Sequence, residues 1–225
     1  MDIETVNKKY IILDFDGTMC LLFQNYDLES TCRRLRRELA KYSIDFPEGA
    51  DAFDAFGAVT ARTQEEETLR ERALRTVNEI LTEAETEAAD TGIPVTGVKE
   101  AVDFWKQNGY RVGIATNNSE ESVRKFLQRI SVERDFPVVG RIGTHPELMK
   151  PNPWSVIEVL GLLGGTAKEA VFIGDTARDL QCAERVGCSF AGMTPTERKR
   201  KRLGAVLEED RMVRDYRELL EKYFM

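Results

Sequence analysis

The chain has 225 residues, long enough for a sizeable core and for a compact domain with a smaller companion. With 32 Lys+Arg against 39 Asp+Glu its formal charge is −7, which gives no overall attraction to nucleic acid or to an anionic membrane, so an anionic substrate needs a local positive site. Cys20, Cys32, Cys182 and Cys188 lack CxxC spacing and His145 is the only histidine, a combination that argues against structural zinc and for reduced, buried thiols.

No apolar stretch nears the roughly 20 residues that span a bilayer, and Met1-Asp2-Ile3-Glu4 lacks the basic-then-apolar start of a secretory signal. The expectation is a cytoplasmic protein, monomeric or homodimeric, with no nucleic-acid or membrane partner.

The first element is an apolar strand, Ile11-Ile12-Leu13, running into Asp14-Phe15-Asp16-Gly17-Thr18. A strand repeats every two residues, so Asp14 and Asp16 are expected on one side at its carboxyl end, where open α/β sheets place their ligands. From Tyr26 to Asp90 the pattern is helical: Leu28, Cys32, Leu35 and Leu39 share a face, as do Leu69, Ala73, Val77, Ile80 and Leu81. This stretch reads as a small bundle of amphipathic helices.

After Thr91-Gly92-Ile93-Pro94 the chain alternates helices and strands. Helices are expected from Gly97 to Asn108, after a Ser119 cap with Val123, Phe126, Leu127 and Ile130 on one face, from Pro153 to Leu163 and from Ala177 to Val186. Strands are expected at Arg111 to Ala115, Val138 to Ile142, Ala170 to Ile173 and Cys188 to Gly192. Val213 to Phe224 reads as a strand or helix closing the core, and Glu197-Arg198-Lys199-Arg200-Lys201-Arg202 as a solvated loop.

Such alternation predicts an α/β fold, a doubly wound, mostly parallel sheet, with the helical segment inserted after its first strand. The expected division is 1–19 with 93–225 as a Rossmann-like core and 20–92 as a helical cap.

Each later strand ends in polar residues of useful chemistry. Thr116-Asn117-Asn118-Ser119 opens a helix, where a hydroxyl and free backbone N–H groups suit phosphate oxygens. Lys150 stands between Met149 and Pro151 and can neutralise an anion. Gly174-Asp175-Thr176-Ala177-Arg178-Asp179 supplies acids four residues apart for a hard cation. Singly these are caps and turns; in order along one sheet edge they describe a site.

In these residues the sequence resembles the haloacid dehalogenase superfamily, with the helical cap of its phosphoglycolate phosphatase-like and beta-phosphoglucomutase-like members. Asp14, Asp16 and Thr18 match its first motif, Thr116 its second, Lys150 its third, and Gly174, Asp175 and Asp179 its fourth. The resemblance implies a Mg²⁺-dependent phosphatase acting on a small phosphorylated metabolite through an aspartyl-phosphate. It makes Asp14 the nucleophile and Asp16 the general acid and base. Thr116, Asn117 and Lys150 would bind the phosphate, and Mg²⁺ would be held by the Asp14 carboxylate, the Asp16 carbonyl and Asp175. Gly17, Thr18, Gly174 and Asp179 would support them, with Asp179 orienting Lys150.

Asp16 also disfavours the dehalogenase branch, which has no need of a leaving-group acid. A phosphomutase and a non-catalytic binding protein on the same scaffold are the rival readings. Met19-Cys20-Leu21-Leu22 departs from the acid and small hydroxyl residue common after the first motif, which leaves the substrate open.

Overall fold

The structure is a computed structural model and describes residues 8–132 and 135–225; the first seven residues of the expected core fall outside them. Its elements run in the order β1 (Tyr10–Leu13), β2 (Cys20–Leu21), α1 (Leu28–Ala40), α2 (Asp54–Arg62), α3 (Glu67–Ala88), β3 (Ile93–Pro94), α4 (Val98–Gln107) and β4 (Arg111–Ala115). They continue with α5 (Glu120–Arg129), β5 (Val138–Val139), α6 (Trp154–Leu163), β6 (Ala170–Gly174), α7 (Ala177–Val186), β7 (Ser189–Met193), α8 (Glu197–Leu203), β8 (Met212–Val213) and α9 (Tyr216–Tyr223).

Six strands form one sheet in the order β5-β4-β1-β6-β7-β8, and every adjacent pair is parallel. Strands buried on both faces need no alternation of polar and apolar residues, which is why β1 and β6 read as continuous apolar runs. Alternate residues point to opposite helical layers. Ile11, Leu13, Ile114 and Ile173 pack with Trp105 of α4, Phe126 of α5 and Tyr216 of α9. Ile12, Phe172 and Phe190 pack with Val159 of α6, Ala183 of α7 and Leu203 of α8. The sheet is thus doubly wound, as expected.

Helices α1, α2 and α3 bury a third cluster of their own, with Leu35, Phe56, Val77 and Leu81 at its centre. The chain enters and leaves this bundle through β2 and β3, an antiparallel pair. Met19, Leu22, Ala88 and Ala89, at the bundle's foot, pack with the sheet.

The strand expected over Val138–Ile142 stops at Val139. Gly140 lies where a Cβ would stand 2.7 Å from the Glu120 nitrogen, and Arg141 N–H donates to Asn118 O at 3.0 Å. The chain therefore leaves the ladder to dock on the turn before α5. The charged run at 197–202 is the helix α8, capped by Thr196, where a solvated loop was expected. Its Lys199 and Arg200 are half-buried. Val213 to Phe224 contains both a strand residue and a helix, capped by Asp215.

Candidate active site

β1 sits at the middle of the sheet, so its carboxyl end opens where neighbouring loops diverge. The ladder runs one step past the strand, Asp14 N–H donating to Ile173 O at 2.9 Å. The chain then turns: Gly17 adopts φ +94°, a left-handed conformation that glycine tolerates, and Asp16 bridges to Cys20. Asp16 is therefore delivered by a turn and not by the strand pleat, yet both carboxylates line one cavity of about 140 Å³.

Across the cavity, Lys150 Nζ donates to Asp14 Oδ1 at 2.5 Å and to Asp179 Oδ1 at 2.6 Å. All three side chains are almost fully buried. Burial alone would favour a neutral amine, but the two carboxylates outweigh it and hold the Lys150 ammonium above its ordinary range. Burial pushes the Asp14 carboxyl up, against the pull of Lys150.

The local sequence fixes Asp179 by helix-cap chemistry. Its Oδ2 accepts from the backbone of Asp175 and Thr176 and from Thr176 Oγ1, completing a capping box at the start of α7. That leaves Oδ1 to hold the lysine. A Cβ on Gly174 would stand 2.5 Å from the Asp179 Cβ, so the glycine clears its place. Asn117 ties the lysine's backbone to the turn after β4, accepting from Lys150 N–H at 2.8 Å and donating to Lys150 O at 3.2 Å.

Asp14, Asp16, Asn117, Lys150, Asp175 and Asp179 come together on the cavity wall. Thr116 is buried, and its hydroxyl bonds to Asn118 within the turn. Thr18 lies behind the wall with its hydroxyl 3.5 Å from Asp14 Oδ2. Asp16 accepts from Leu22 N–H at 2.9 Å, and burial raises its carboxyl to about 6 despite the nearby Lys199 ammonium.

Two features of the site carried no signal in the sequence. Lys199 reaches in from α8 to Asp175 Oδ2. Glu85, on α3, accepts from Asn118 Nδ2 at 3.1 Å and from Ser119 N–H at 2.9 Å, and it pairs with a fully buried Arg141 at 2.5 Å. The bundle is thereby bonded to the turn that flanks the cavity.

Oxygens of Asp14, Asp175 and Asp179 lie within 4.8 Å of one another, and Asp175 Oδ1 is buried without a hydrogen-bond partner. Four carboxylates, Asp14, Asp16, Asp175 and Asp179, face two ammoniums, Lys150 and Lys199. Two negative charges remain, the number a divalent cation cancels. An all-oxygen donor set of this kind fits a hard divalent metal.

A second cavity of about 790 Å³ adjoins the first, and Phe53, Asn117, Lys150 and Arg178 line both. Its outer wall comes from α2, through Phe56, Gly57 and Thr60. Arg62 and Thr63, at the end of α2, line neither cavity: Arg62 pairs with Glu66 at 3.6 Å and Thr63 donates to Val59 O.

Residues 11–193 match the sequence family of haloacid dehalogenase-like hydrolases. Phosphoglycolate phosphatase of Pasteurella multocida is 24% identical over 193 residues, 83% of this chain and 85% of that protein. Pyrophosphatase PpaX of Bacillus velezensis is 28% identical over 221 residues, 93% and 94% of the two chains. Other curated relatives match over about half of their own length or less. Among solved structures, a variant of CbbY from Rhodobacter sphaeroides in complex with xylulose-(1,5)bisphosphate superposes with a TM-score of 0.67 at 16% identity, covering 97% of this chain and all of that one. At that identity the likeness is one of fold. The chain belongs to the haloacid dehalogenase-like hydrolase family, in its phosphoglycolate phosphatase-like subfamily, and is an enzyme of the phosphoric monoester hydrolase class.

Proposed function

We propose that this hydrolase is a Mg²⁺-dependent phosphatase of a small phosphorylated metabolite and that it works through an aspartyl-phosphate on Asp14. The observation that carries the reading is the buried Asp14–Lys150–Asp179 clamp with Asp16 and Asp175 on the same cavity wall. Asp14 Oδ forms a bond to phosphorus as the bond to the leaving oxygen breaks, and Asp16 gives its proton to that oxygen. Water then attacks phosphorus, its proton passes to Asp16, and the Asp14 carboxylate is released. Lys150, with Asn117 beside it on the cavity wall, stabilises the oxygens of the transferring group.

The Asp14 and Asp175 carboxylates and the Asp16 carbonyl would hold Mg²⁺, which when bound would supply further neutralisation of phosphoryl charge. Asp179 acts by fixing Lys150. Residues 1–19 and 93–225 form the catalytic core and 20–92 the cap, a division supported by the separate hydrophobic cluster of the three cap helices. The cap wall of the larger cavity selects the substrate, and Arg178, exposed at the junction of both cavities, favours one with a second negative charge. The names of the relatives, a phosphoglycolate phosphatase and a protein complexed with a bisphosphate, agree with such a substrate.

The test is phosphate release from a panel of phosphorylated acids, sugars and nucleotides, with Mg²⁺ and with EDTA, by wild type and Asp14→Asn. Metal-dependent release that the folded variant lacks is the expected result. Substantial release by Asp14→Asn would overturn the nucleophile, and release unaffected by EDTA would overturn the metal.

A further inference from the structure

The run Glu197–Arg202 divides its charges unequally. Arg198, Lys201 and Arg202 are exposed, and Arg200 bonds to Glu209 at 2.5 Å. Lys199 alone of the run reaches an acid of the catalytic site, its ammonium on Oδ2 of an Asp175 side chain that is 2% exposed. Space for it is made by Gly17, where a Cβ would stand 2.2 Å from Lys199 Nζ and 2.4 Å from Asp175 Oδ2. Thr196 Oγ1 accepts from Lys199 N–H at 3.3 Å, which fixes the residue's backbone in the first turn of α8.

The two oxygens of Asp175 therefore differ. Oδ2 carries a tethered cation, while Oδ1 is buried and unpartnered. Lys199 also keeps 27% of its side chain exposed, so its ammonium has a direct route to water along a four-carbon stem.

We infer that Lys199 is a built-in counter-ion of the metal site: it neutralises Asp175 when no divalent cation is bound and withdraws toward solvent when one binds. The inference rests on the proposed role of Asp175 as a metal ligand. A buried carboxylate without a cation is costly, so the metal-free site needs the ammonium. An ammonium and a divalent ion on the same buried carboxylate repel strongly, so the loaded site excludes it. Metal and lysine compete for one residue, and the protein binds metal less tightly than its acids alone would.

The test uses the full-length protein and two readouts. Calorimetric titration with Mg²⁺ compares wild type, Lys199→Met and Asp175→Asn. If the lysine occupies Asp175 for nine-tenths of the time, Lys199→Met binds Mg²⁺ about tenfold more tightly than wild type. In wild type, acylation of Lys199 by an N-hydroxysuccinimide ester, followed by mass spectrometry, is expected to accelerate when saturating Mg²⁺ replaces EDTA. Binding by Lys199→Met no tighter than wild type, or acylation unchanged or slowed by Mg²⁺, overturns the inference. Should Lys199→Met not fold, acylation of wild type decides alone. Wild-type affinity retained in Asp175→Asn, or no Mg²⁺ binding by wild type, removes the ligand role of Asp175 and the inference with it.

Discussion

Asp16 and Lys150 show how this site sets protonation by burial and pairing together. Asp16's folded carboxyl titrates at about 6 and its free value is 3.8, so the folded protein takes up the proton first as pH falls. The penalty for the ionised form is complete above pH 6 and is relieved between 6 and 3.8, which makes metal-free protein more stable at the acid end of that window. The gain is roughly 3 kcal/mol at most, and Asp16→Asn should remove it; thermal unfolding of both proteins between pH 4 and 7 checks this. Lys150→Met should do more harm, leaving Asp14 and Asp179 buried without a cation at a cost of about 3–5 kcal/mol, read by urea unfolding. Asp14, Asp16, Asp175 and Asp179 could be found in the sequence because each follows a buried strand or opens a helix at short, readable spacing, and Lys150, well past β5 and ahead of α6, because it is a lone lysine beside a proline. Lys199 could not. It stands among arginines and lysines whose alternation with solvent is indistinguishable locally, and its partner lies 24 residues away.

At the scale of elements, α3 is the member that reaches furthest. Its Glu85 meets Arg141, and Arg141 also bonds to Asn78 at 2.8 Å and Thr82 at 2.9 Å on the same helix. Arg141 further faces the rings of Phe53 and Phe56. Glu85→Ala strands a buried guanidinium and should cost about 3–5 kcal/mol, whereas Glu85→Gln with Arg141→Met should cost clearly less than the sum of the two single changes. Denaturant unfolding of the four proteins measures the coupling. A rise in KM without loss of stability in the double variant would show that the network also sets cap position. The helices themselves were readable from apolar periodicity, since Leu35, Leu39, Val77 and Leu81 are all buried. Glu85 was not, because a single acid on a charged helix looks like surface until tertiary contacts remove its water. Strand β5 was overestimated for a related reason: its last residues leave the ladder to meet the 118–120 turn, a contact across more than twenty residues.

For the molecule as a whole, the parallel sheet and its two helical layers followed from the order of strand and helix patterns, whereas how the bundle is fastened to the sheet depended on pairs far apart in the chain. Closure of cap on core around an anion should stabilise the whole: Mg²⁺ with inorganic vanadate at 100 times its dissociation constant contributes about 2.7 kcal/mol by mass action. A rise in melting temperature of roughly 5–10 °C is expected for a chain of this size, and Asp14→Asn should abolish or sharply reduce it; differential scanning calorimetry is the measurement. The position of β1 carries a further consequence, for synthesis. Among the described strands this one is made first, yet its hydrogen-bonding partners are Arg111–Ile114 on one side and Ala170–Ile173 on the other. On the ribosome the segment that bears the nucleophile finds its first partner only when β4 emerges, roughly 100 residues later, and its second edge stays open until β6 follows, about 160 residues after it. The intervening helices, with apolar faces that meet one another, can collapse meanwhile. The growing chain thus assembles its substrate-selecting part before its chemistry, and the vulnerable interval for aggregation ends only when β6 leaves the exit tunnel.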